Sequence, residues 1–196
     1  MALALFSFIP VIGDFKELGK LNKAIQGVKS TVKTGAHKID NVVMDYISKK
    51  IREIDASDLL LYSEKSGGHT IAEHVSLSDA EMVRRAAQRK LDVTSYTNQN
   101  TAIKVIKSTL SSNASKISEW LLDPNSPDRL NLIHEMDYSI GKGYKKGGTS
   151  LNTDLNTAFT QLKKDSKSEY GFIIVTSYPK YKIGSVKNVN KCKGTI

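Results

Sequence analysis

Residues 113–140, NASKISEWLLDPNSPDRLNLIHEMDYSI, contain the change of period that decides the fold. Ile117, Trp120 and Leu121 recur at helical steps, and Asp123-Pro124 ends that helix, because a proline pushes the residue before it out of the helical region. Beyond it, Leu130, Leu132, Met136, Tyr138 and Ile140 fall on alternate positions, the pattern of a half-buried strand. Upstream the reading is helical. Ser78-Asp79-Ala80-Glu81 has the form of a capping box, in which Glu81 reaches back to an orphan amide, and predicts a helix from Asp79 to about Leu91. Thr97 is the expected cap of a second helix carrying Ala102, Ile103, Ile106 and Leu110, and Asn113 begins the third. Downstream, residues 156–163 and 171–178 read as strands joined by the polar turn Lys164–Ser168, and 141–148 read as a Gly- and Lys-rich loop. Helices first and strands afterwards give an α+β class with a twisted antiparallel sheet.

The chain has 196 residues, a formal net charge of +9 and 39% apolar residues, enough for one ordinary domain with a helical extension. Cys192 stands alone, so neither an internal disulfide nor a multi-cysteine zinc site is available. Residues 1–60 carry nine basic and seven acidic side chains, leaving most of the positive charge to the remainder. After Glu169 there is no acidic residue, while Lys180, Lys182, Lys187, Lys191 and Lys193 follow. Such a balance suits a polyanionic partner, since neutralising phosphates releases counterions. The apolar run Ala2–Ile12 is broken by Pro10 and too short to span a bilayer, and it lacks the pattern of a signal peptide. From Phe15 to Ile54 apolar residues recur every three or four positions, interrupted at Gly27 and Gly35, which reads as one or two amphipathic helices. Residues 1–58 are therefore read as a helical linker or delivery segment and 59–196 as the functional domain.

Four histidines are candidates for chemistry: His37, His69, His74 and His134. His69 and His74 lie five apart in GGHTIAEHV (67–75), a spacing that does not place both on one face of a helix or match a zinc-protease motif. A general acid–base role fits better, because imidazole titrates near neutrality. His37 and His134 have no companions and read as structural. The loop at 141–148 carries neither phosphate-loop pattern, although Lys142, Lys145 and Lys146 could meet RNA backbone.

The stretch GGHTIAEHVSLSDAEMVRR (67–85) resembles the opening motif of bacterial ribonuclease A-like toxin domains, which end contact-dependent growth inhibition proteins and related polymorphic toxins. Three further features match in order: Thr94-Ser95-Tyr96-Thr97 with Ala102 behind it, Ile117-x-x-Trp120-Leu121, and FIIVTSYP (172–179). Phe8–Asp14 is more loosely similar to the helical stretches that precede such toxin tips. The resemblance covers roughly 60–185 and implies a ribonuclease A-like fold, no cofactor and no metal. It places catalysis on His74, Arg85, Thr176 and Tyr178, with His69 supporting or touching the substrate; Arg89, one turn beyond Arg85, shares its face, and Lys142, Lys145 and Lys180 are expected against the substrate. His74 is favoured over His69; between Arg84 and Arg85 only one can face a site, because neighbours on a helix point about 100° apart.

The chemistry asks for these residue types independently. Cleaving RNA through its own 2′-OH needs a base for that proton, an acid for the leaving 5′-oxygen and donors for the charge building on phosphorus. An imidazole can move the proton, a guanidinium offers a fork to phosphate oxygens, and hydroxyls at 176 and 178 project from one strand face. The resemblance further implies RNA as substrate, a cognate immunity protein with an acidic interface, membership of a larger exported protein, action in the target-cell cytoplasm and no stable membrane insertion. Two rival expectations are a non-enzymatic nucleic-acid-binding module, for which no stacking motif is visible, and a membrane-active toxin working through the N-terminal helices.

Overall fold

The computed structural model describes residues 41–89, 91–147 and 151–182. The expectations for the run at 2–12, the helices at 14–40, His37, Gly148, Lys187, Lys191, Cys192 and Lys193 lie outside those residues. In chain order the elements are α1 (Asn41–Glu53), α2 (Ala56–Lys65), α3 (Thr70–His74), α4 (Asp79–Arg89), β1 (Val93–Tyr96), α5 (Gln99–Ser112), α6 (Ala114–Leu122), β2 (Arg129–Glu135), β3 (Gly141–Tyr144), β4 (Leu151–Leu155), β5 (Thr157–Lys164) and β6 (Phe172–Lys180).

Of the apolar stripe Val42, Tyr46, Ile51 and Ile54 read in the sequence, Ile51 in α1 and Ile54 just beyond it are fully enclosed, whereas Tyr46 is only partly buried and its neighbour Ile47 takes the enclosed position. Ser48 Oγ lies 2.9 Å from Ser118 Oγ of α6. Asp55 caps α2 by accepting from the amides of Ser57 and Asp58. These residues share one core with Leu59, Ile106, Leu110, Ile117, Trp120, Leu132, Leu162 and Phe172. The boundary expected at 58/59 runs through α2. Trp120 lies edge-on to Phe172, ring centroids 6.3 Å apart, and its indole N–H donates to the Pro127 carbonyl at 2.7 Å.

The strands form two three-stranded sheets, β2-β5-β6 and β1-β3-β4, with every pairing inside them antiparallel. Leu132, Ala158, Thr160, Leu162 and Ser177 point from the first sheet into the protein and are buried. By strand alternation Asn131, Ile133, Phe159, Gln161, Thr176 and Tyr178 stand on the other face, where Ile133 is 58% exposed. The register of β5 with β6 shifts between Gln161 and Leu162, so Val175 is an extra residue. Its carbonyl accepts the His69 amide at 3.0 Å, and Thr70 Oγ1 accepts the Ser177 amide at 2.8 Å. Those two bonds dock α3 along β6. A parallel bridge between Val75 and Tyr96 then ties α3 to β1 of the second sheet.

Several local expectations are corrected. Gly141–Tyr144 is a strand, not a loop. A Cβ on Gly143 would stand 2.6 Å from the Val93 carbonyl oxygen, and one on Gly141 would strike that of Ser95, so glycine is what lets β3 lie against β1. Strand β1 interrupts the run of helices, and β4 was not anticipated. The alternating run from Leu130 breaks after Glu135; Tyr138 turns outward and Ile140 leads into β3. Asn98, not Thr97, caps α5, its side chain accepting the Thr101 amide at 2.8 Å. Ser78 accepts the Glu81 amide as expected, but the Glu81 carboxylate turns to Arg84 and Arg85 instead of completing the box.

Candidate active site

Helix α3 is one turn long, and its tethers to β6 bring His74 over that strand. The His74 ring sits 4.9 Å from the Tyr178 ring, centroid to centroid, and His69 stands 6.3 Å from His74. His74 Nδ1 lies 3.3 Å from the Thr94 carbonyl oxygen. A carbonyl only accepts, so Nδ1 carries the proton and Nε2 keeps its lone pair. Burial pushes the His74 pKa down from 6.5 to about 4, against the bond to Thr94 that favours the charged form. The imidazole is thus neutral at physiological pH. Burial raises the Tyr178 pKa, so its phenol stays protonated and available as a donor. His69 is solvent-exposed at the start of α3.

Thr176 precedes Tyr178 by two residues on the same strand face. Its side chain is 91% buried by area, and Oγ1 has no hydrogen-bond partner among the described residues. A buried hydroxyl left unpaired costs roughly 1–3 kcal/mol.

Arg85 extends from α4 to α3. Its Nη1 donates to Glu73 Oε2 at 2.8 Å and to the Glu73 carbonyl at 3.3 Å, and its Nε to Glu81 Oε1 at 2.5 Å. Nη2 makes no bond among the described residues. Arg84 is 55% exposed and engages Glu81 and Gln88, away from α3; Arg85 is 14% exposed. Arg89 shares the Glu73 carboxylate at 2.7 Å. The bond from Arg89, with Arg85 beside it, holds Glu73 below the usual carboxylate range, and Arg84 and Arg85 hold Glu81 down to about 2. Both acids are therefore anchors for the guanidinium groups and not proton carriers near neutrality.

The structure gathers His69, His74, Thr176 and Tyr178 at β6, with Arg85 and Arg89 tethered to the helix that carries His74. Lys180 joins them at one remove, its ammonium 5.9 Å from the centre of the Phe159 ring, which lies 5.1 Å from that of Tyr178. Lys142 belongs to the other sheet and Lys145 follows the end of β3; Lys142 pairs with Asp79 at 2.5 Å and the Lys145 ammonium sits 5.3 Å from the centre of the Tyr181 ring. His134 bonds Ser108 at 2.9 Å, in keeping with a structural role. Sequence reasoning missed Phe159, Glu73, Thr70 and the Thr94 carbonyl. Phe159 alone carried a signal, as an aromatic on the polar phase of an alternating strand. Among the described residues, no three His, Cys, Asp or Glu gather where an ion could be held.

A short helix and a bulged strand closing two antiparallel sheets around a His–Tyr pair define a ribonuclease A-like α+β domain. The sequence pattern of the bacterial CdiA-CT RNAse A domains matches residues 68–179, and the chain belongs to that family of contact-dependent growth inhibition toxins. Among solved structures, the crystal structure of a CdiA-CT/CdiI complex from Y. kristensenii 33638 is similar, with a TM-score of 0.53 and 27% identity. The match covers 58% of this chain and 100% of that one. No curated protein matches.

Proposed function

We propose that the chain is a toxic endoribonuclease that cleaves RNA without a metal, through the substrate's own 2′-oxygen. His74 Nε2 takes the 2′-OH proton as O2′ attacks the neighbouring phosphorus. The bond to the 5′-oxygen breaks, that oxygen receives a proton on the solvent-exposed side where His69 stands, and a 2′,3′-cyclic phosphate remains. Arg85, Thr176 and the Tyr178 phenol donate to the phosphate oxygens as charge grows on them. Arg89, Lys142, Lys145 and Lys180 supply the surrounding positive field. A transfer-RNA substrate fits the same chemistry.

The observation that carries this reading is the partly buried imidazole of His74, its Nδ1 3.3 Å from the Thr94 carbonyl oxygen and its ring centroid 4.9 Å from that of Tyr178. The test is His74→Ala with its fold confirmed by circular dichroism, assayed on total RNA in EDTA. A positioned general base contributes about 10²–10⁴-fold, so the variant should lose activity on that scale while the wild type is unaffected by the chelator. Undiminished cleavage by the variant, or wild-type activity abolished by EDTA, would remove this mechanism.

The same reading makes the domain the toxic tip of a larger exported protein, with the residues ahead of it as a linker or delivery segment and the target-cell cytoplasm as its place of action. Its producer then needs an immunity protein, and a cationic cleft favours one with an acidic surface that associates faster at low salt. None of the described helices is long and apolar enough to cross a membrane.

A further inference from the structure

The exposed face of the β2-β5-β6 sheet is built in two rows that cross the strands. One row runs Ile133, Phe159, Tyr178, set opposite one another by the registers of β2 with β5 and β5 with β6, and the tilted ring of His74 lies at its end. The centroid spacings are 5.1 Å from Phe159 to Tyr178 and 4.9 Å from Tyr178 to His74. The second row is Asn131 and Gln161, and it ends against Thr176, which is buried. Its amides are fixed: Gln161 Oε1 accepts from Arg129 at 2.6 Å, and Gln161 Nε2 donates to Asn131 Oδ1 at 2.9 Å. Arg129 and Lys163 face each other at one margin, and Lys180 lies over Phe159. Glu135, the acid on this face, is paired with Lys182 at 2.5 Å. Outside the core, this face aligns an aliphatic, two aromatic rings and oriented amides, bordered by cations.

We infer that this face is a track for single-stranded RNA leading away from the scissile linkage, with Phe159 as the stacking platform for a base beside it. The inference deepens the proposed ribonuclease reading and rests on it. Aromatic rings accept any base by its flat face, cations meet the phosphates, and oriented amides can meet a base edge. Those three chemistries together favour a nucleic acid over a protein at this surface. Tyr178 belongs to both row and cleft, so a strand bound on the track delivers its phosphate to His74.

The probe is 2′-O-methyl RNA, which cannot be cut through its 2′-oxygen, as a dinucleotide and as a heptanucleotide, with binding read by fluorescence anisotropy. Wild type should bind the longer oligomer at least about tenfold more tightly. Phe159→Tyr should keep that gain, and Phe159→Leu should lose about tenfold of it, the size of one base–aromatic stack. Arg129→Ala with Lys163→Ala, at positions outside the core, should flatten the salt dependence by about two phosphate contacts and serves equally if Phe159→Leu fails to fold. A gain that survives in Phe159→Leu and in the Arg129/Lys163 variant overturns the track. So does a face whose variants leave RNA binding intact but weaken the grip of an acidic immunity protein. Length-dependent binding by a wild type that never cuts ribose RNA would sink the ribonuclease reading alone; cutting without a length gain would sink the track alone.

Discussion

If His74 is the base, the acid limb of the rate profile lies near pH 4. An imidazole left at its ordinary value of about 6.5 would be roughly nine-tenths protonated at pH 5.5, and kcat/KM would fall about tenfold between pH 7.5 and 5.5. With the His74 pKa pushed to about 4, the base form persists through that range and the rate stays nearly flat until pH falls close to 4. The same shift has a stability consequence of definite sign. Between about pH 4 and 6.5 the unfolded chain binds a proton that the folded chain excludes, so stability falls as pH drops through that window. The upper limit is on the order of 3 kcal/mol, reduced by the screening that a partly exposed ring receives. The assay is cleavage of a fluorogenic ribonucleotide from pH 3.5 to 8, beside urea melts at each pH for wild type and His74→Gln. A wild-type acid limb at about 6.5, or an undiminished pH dependence of stability in His74→Gln, would refute the reasoning.

Other expectations concern the parts that hold the cleft. Thr70→Val removes the acceptor of a buried Ser177 amide and should cost roughly 1–3 kcal/mol in urea melts, with a further loss of kcat because one of the two bonds that dock α3 on β6 is gone. Thr70→Ser should restore both. Glu73→Gln weakens the anchor shared by Arg85 and Arg89, and steady-state kinetics should show kcat/KM reduced by about tenfold or more with the fold intact by circular dichroism. Gly68→Ala would place a Cβ 2.5 Å from the Ile174 carbonyl oxygen and 2.8 Å from that of Ser63, and should destabilise by about 1–3 kcal/mol or prevent folding, read by thermal melting.

The helices were legible because their apolar residues touch the core at regular steps; Ile51, Ile106 and Ile117 are buried as their spacing predicts. Strands β5 and β6 were legible as short apolar segments on either side of a polar turn, although the bulge at Val175 breaks any period-two burial along β6. Strand β3 was not, since Gly141 and Gly143 carry the composition of a loop, and only the close approach of β1 explains them. Strands β1 and β4 are short and take their identity from partners distant in sequence. At the site, the sequence offered His69 and His74, or Arg84 and Arg85, as near-equivalents. What separates them is tertiary: the Val175 bulge and Thr70 seat α3 so that His74 turns inward, and Glu73 draws Arg85 toward it. Phe159 was one aromatic among many until the register set it between Ile133 and Tyr178.

The most direct measurement is the chemistry of the cut ends. Total RNA treated with the wild-type protein in EDTA should carry 2′,3′-cyclic phosphates and 5′-hydroxyls, and RNA treated with His74→Ala should stay whole. Fragments ending in 3′-hydroxyls with 5′-phosphates would mean that water, not the 2′-oxygen, attacked phosphorus, and the role given to His74 would be wrong.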